Sequence, residues 1–176
     1  MPNLLHPYYS LLKACEPYNA SLLAVTKNRK EKEILELYQM GQRLFGENKP
    51  QELIIKASLL PTEIQWHLIG HLQTNKVKHV LPYISCIHSL DSLKLWQKID
   101  EEAKVAELQI NCLLQIKIAA EDTKFGWNFE ELINVLESGQ NANLKNVTII
   151  GVMGMATLTV DQKQIRRELQ SLKEHF

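Results

Sequence analysis

Lys27 follows the apolar run Ser21–Thr26 (SLLAVT) and closes what reads as a buried strand. A lysine at the C-terminal end of such a strand stands where α/β proteins build their sites. Partial desolvation there would lower its pKa and free a neutral amine, the form that attacks an aldehyde. Position alone favours a solvated lysine at a strand-to-loop junction. Phe45-Gly46-Glu47-Asn48 is the second candidate. A glycine after a strand lets the backbone turn or approach a ligand closely. Asn48 offers a donor and an acceptor, suited to a phenolate oxygen or a ring substituent. The same four residues also suit a turn with a helix cap.

The third candidate is Trp66 to Lys76 (WHLIGHLQTNK). Histidines four apart share a metal when both lie on one helix face. Here His67 falls in a strand and His71 in the following loop, so this spacing predicts no metal site and a polar loop over the mouth of the sheet. Lys124, in Thr123-Lys124-Phe125-Gly126, would bring a second positive charge to an anionic ligand, or simply precede a surface turn. Met153, in Met153-Gly154-Met155, would lie under a planar ring or fill core.

The elements that must position these residues alternate along the chain. Strands read at Ser21–Thr26, Arg43–Phe45, Ile64–Ile69, Cys86–Ser89, Ile110–Ile118 and Val147–Val152. Helices read at about Lys30–Met40, Pro50–Leu59, Asn75–Leu81, Asp91–Val105 (capped by Ser89 or Asp91), Phe129–Glu137 and Asp161–His175. An extra helix, Asn3 to about Cys15, precedes them. Repeated βα units mean a parallel sheet covered by helices, either an open doubly wound sheet or a barrel. No G-x-G-x-x-G follows the first strand, which removes the commonest dinucleotide reading. Nothing divides the 176 residues, so one domain is expected.

Composition narrows the function classes. Twenty cationic and twenty acidic side chains give no net charge, hence no electrostatic pull toward nucleic acid or an anionic membrane. The three scattered cysteines suggest neither a disulfide framework nor a zinc motif, and free thiols fit a reducing compartment. No apolar run approaches a membrane span, so a cytoplasmic protein is expected.

Taken in order, LLAVTKNRK (Leu22–Lys30), RLFGENKPQE (Arg43–Glu52), WHLIGHLQTNK, CIHSLDS (Cys86–Ser92), TKFG (Thr123–Gly126) and GVMGMATL (Gly151–Leu158) resemble the pyridoxal phosphate homeostasis proteins. These are single-domain relatives of the alanine racemase N-terminal barrel, of fold type III. The resemblance implies a (β/α)8 barrel with pyridoxal 5′-phosphate (PLP) held as a Schiff base on Lys27. It places Asn48 and Met153 close to the cofactor, with Lys124 and His67 as further cofactor-site candidates. It implies a role in vitamin B6 balance without strong catalysis, with apo forms of PLP enzymes as recipients. The alternative is an amino-acid racemase, which needs a base on each face of a planar carbanion.

The likeness ends in the helix after strand six. The family's S-x-G-M-S-x-D and G-[TS]-x-x-F-G segments, which help hold the phosphate, do not occur here. Six βα units against the eight of a full barrel lead to an expected barrel lacking its last two units. It should be open on one side, with Lys27, Asn48 and Met153 converging on a cleft.

Overall fold

A computed structural model describes residues 5–119 and 125–174. Six strands, β1 (Ala24–Val25), β2 (Leu44–Glu47), β3 (Gln65–Leu68), β4 (Cys86–Leu90), β5 (Ile110–Ile116) and β6 (Val147–Gly154), form one sheet in chain order. Every neighbouring pair is parallel. Among the described residues β1 and β6 are edges that do not pair with each other, so the barrel is not closed. The helices are α1 (Leu5–Cys15), α2 (Glu31–Gln39), α3 (Pro50–Leu59), α4 (Val77–Val80), α5 (Leu93–Val105), α6 (Phe129–Glu137) and α7 (Gln162–Glu174). Two short 3-10 turns flank α4.

Strand alternation sorts the side chains onto two faces. One row, with Phe45, Trp66, Leu68 and Ile87, is buried and meets Ile34 of α2, Leu53 of α3 and Ile99 of α5 in a single core. The opposite row carries Gly46, His67, Ile69, Cys86 and His88, and forms the inner face of the open barrel. Trp127, fully buried, donates its indole N–H to the Leu90 carbonyl at 2.8 Å and ties the segment before α6 to β4.

Helix starts follow local chemistry. Pro50 takes the first-turn position of α3, where a missing N–H costs nothing. Asn128 accepts the Glu130 N–H at the start of α6. The cap of α5 is Ser92, which accepts the Leu95 N–H at 3.3 Å, and not Ser89 or Asp91. Those two are engaged elsewhere: Ser89 donates to the Gly70 carbonyl and Asp91 pairs with His71.

The expected strand Ser21–Thr26 shortens to two residues, as suits an edge with a single neighbour. Strand β2 extends through Gly46 and Glu47, which the sequence placed in a turn, because Gly46 and Glu47 register with His67 and Leu68 of β3. Strand β6 runs two residues past the expected Val152 and is paired to its end by Ile116–Gly154.

Candidate cofactor site at the strand C-terminal ends

Lys27 lies in the turn after β1 and is exposed. The partial desolvation expected of it is absent here, since β1 is an edge with open solvent on one side. Its placement is nevertheless fixed from behind. Thr26, 2 % exposed, donates its hydroxyl to Glu47 Oε1 at 2.7 Å. Lys56 of α3 is ion-paired to the same carboxylate and donates to the Thr26 carbonyl at 2.8 Å. Glu47 and Lys56 are both buried between sheet and helix. The Thr26 N–H continues the ladder to the Gly46 carbonyl. Thr26 therefore points to the helix side, and Lys27 follows it at the mouth of the barrel. Asn28 completes the turn at φ 60°, a left-handed conformation that asparagine tolerates.

Asn48 follows β2 and is half-buried. It helps line a cavity of about 270 Å³ at the strand ends, together with Gly70, His71, Gln115, Lys117 and Met155. Gly70 is required by close approach: a Cβ there would stand 2.2 Å from the Asn48 carbonyl oxygen and 2.8 Å from its Cα. The loop after β3 thus packs directly on the Asn48 backbone. Gln115 donates to the Phe125 carbonyl at 3.0 Å, holding the far rim. The His71 ring stacks on Phe125, centroids 3.9 Å apart and 13° between planes, while its Nδ1 meets Asp91 Oδ2 at 2.8 Å.

Met153, half-buried on β6, is the register partner of Gln115. Neither it nor Lys27 lines this cavity, whose methionine is Met155. His67 Nδ1 lies 2.7 Å from His88 Nε2, inside the barrel and outside the cavity lining. Lys124 lies outside the described residues. Burial pushes the His67 pKa down; burial, with a smaller repulsion from His67, lowers that of His88 to about 4.

Sequence reasoning missed the Glu47–Lys56 pair, the His71–Phe125 stack and Gln115, and it set Met153 ahead of its neighbour Met155. Only Glu47 carried a signal: a charge inside a run that pairs as a strand must find a buried partner.

The alanine racemase N-terminal domain family matches residues 2–175 of this chain. The pyridoxal phosphate homeostasis protein of Helicobacter pylori is 36% identical over 157 residues, covering 88% of this chain and 70% of its own length. That of Synechocystis is 38% identical over 152 residues, covering 85% and 69%. PipY of Synechococcus elongatus, solved with PLP bound, superposes with a TM-score of 0.78 at 32% identity, over 94% of this chain and 80% of that one. Alanine racemase from Clostridium difficile, at 16% identity and a TM-score of 0.69 over 87% of this chain and 40% of its own, shares the fold. The architecture is therefore that of the racemase-type (β/α)8 barrel, incomplete here. By motif order, identity and fold alike, the chain belongs to the pyridoxal phosphate homeostasis protein family.

Proposed function

We propose that this protein binds PLP covalently through Lys27 and acts in vitamin B6 balance, holding the cofactor and yielding it to apo-enzymes. The observation that carries this reading is the buried Thr26–Glu47–Lys56 cluster. It fixes the turn bearing Lys27 at the barrel mouth, and it ties up the nearby Lys56 amine in an ion pair. The PLP-bound PipY and the names of the relatives support the same ligand.

PLP would supply an aldehyde carbon that a lysine amine captures, and an electron-withdrawing ring. Lys27, exposed and at the mouth, would supply that amine. The Asn48 amide can donate to or accept from a ring substituent. Met153 on β6 and Met155 just after it offer polarizable side chains, and Lys117 brings a cation to the cavity rim. Lys124 and His67 remain in this proposal as further cofactor-site candidates.

We read the chain as one barrel domain whose two strand edges call for further strands between β6 and β1. Among the described residues no helix is long and apolar enough to cross a membrane. The free thiols of Cys15, Cys86 and Cys112 support a cytoplasmic setting.

The test is a PLP titration followed by visible absorption, comparing the protein with Lys27→Ala. A saturable band that the variant lacks, with unchanged circular dichroism, supports the reading. An equal band in the variant refutes it. Alanine turnover near the common enzyme rate of roughly 10 s⁻¹ would favour the racemase alternative.

A further inference from the structure

The inner face carries a second constellation, outside the lining of the cavity beside Asn48. His67 sits on β3; Cys86 and His88 sit on β4. His67 and Cys86 are direct register partners, and Cys86 and His88 are two apart on one strand, so all three project from the same face. One donor atom from each lies within 4.8 Å of the others. We propose that His67, Cys86 and His88 form a binding site for a zinc-class divalent cation inside the barrel, with the fourth coordination position open to water.

The donor set is that of three-ligand zinc sites, two imidazoles and one thiolate. Around tetrahedral zinc, with bonds near 2.0–2.1 Å to nitrogen and 2.3 Å to sulfur, donor atoms stand roughly 3.3–3.6 Å apart. The His67–His88 contact at 2.7 Å and the 4.8 Å outer limit of the cluster bracket that edge. Small side-chain rotations suffice, and the backbone register stays as it is. A neutral imidazole keeps a ring-nitrogen lone pair for a metal.

The thiol is buried and protonated without a metal, its pKa pushed up to about 11. Binding therefore replaces the S–H bond by a metal–sulfur bond and releases that proton to solvent, with no change in oxidation state. The cation and thiolate leave one net positive charge, which suits a water or an anion at the open position. Histidine spacing along the chain offered only His67 with His71, a pair that predicts no metal site. Strand register supplies different partners, twenty-one residues away in the case of His88.

The experiment is zinc-edge X-ray absorption on the full chain loaded with one equivalent of zinc, an observable that PLP does not mask. The expected shell holds one sulfur and two imidazole nitrogens. Zinc binding should weaken at least roughly tenfold in Cys86→Ser and in His88→Gln, since even outer-shell changes cost metal sites 10–100-fold. His79→Ala, an exposed position on α4, should bind as the parent does. A shell of only nitrogen and oxygen overturns the proposal, and this reading stands whether or not the variants fold. A sulfur shell that persists in Cys86→Ser also overturns it, because the ligand would then be another cysteine.

Discussion

The two faces of the sheet solve different problems. The outer face buries Phe45, Trp66, Leu68 and Ile87 against helices, and the charged pair Glu47–Lys56 is sealed within it. The inner face carries His67, Cys86 and His88 together, and at the strand ends a cavity lined by Asn48. Lys27 belongs with the inner group but stands on a turn held by the outer one. The contrast teaches that an exposed lysine can still be held in place, because its turn is anchored one residue earlier, at the buried Thr26.

The largest effect should come from the outer pair. Lys56→Met leaves the buried Glu47 carboxylate without its cation, a change that typically costs about 3–5 kcal/mol. Urea unfolding should show the drop. Pairing it with Glu47→Gln should recover part of the loss, because no uncompensated charge then remains. If Lys56→Met is as stable as the parent, the outer pair does not anchor the turn.

Gly70→Ala comes next. Its Cβ would collide with the Asn48 backbone, which cannot move aside like a flexible side chain. Overpacking of this kind costs about 1–3 kcal/mol. Because the strain falls on Asn48, PLP affinity should fall together with the melting temperature. A variant that melts lower yet binds PLP normally would separate Asn48 from the cofactor.

The inner histidines give a smaller, pH-dependent effect. His88 titrates at about 4 in the folded chain against an ordinary 6.5, and the His67 value is also lowered. The unfolded chain therefore takes up protons that the folded chain refuses. Stability from these groups is fully present above about pH 6.5 and declines as pH falls toward 4. Unfolding of chelator-treated His88→Gln, followed across that window, should show a shallower decline. An unchanged slope would assign the acid sensitivity to other groups.

The outer face was largely legible in the sequence. Among the described residues, apolar runs and helical periodicity located the six strands and the seven α-helices, and α3 and α6 fall at the expected residues. Burial on one face imposes that periodicity, so it survives in the string. The inner face was legible only by motif. His67 meets His88 because β3 and β4 align in one register, a fact no local pattern records. Glu47 looked like a turn residue because its partner Lys56 waits on the next helix. Ser92 displaced Ser89 as a cap because Ser89 has a carbonyl to bond across the loop.

The smallest stability effect should belong to Lys27→Ala. An exposed turn side chain contributes within about 0.5 kcal/mol, yet this variant should lose the covalent ligand altogether. That dissociation of stability from binding is what the two-face contrast demands, and one measurement addresses it at the bond itself. PLP-loaded protein is reduced with borohydride, digested, and mapped by mass spectrometry. The account predicts the reduced pyridoxyl group on the peptide containing Lys27. Its appearance on Lys117, Lys124 or any other lysine, with Lys27 unmodified, would contradict it.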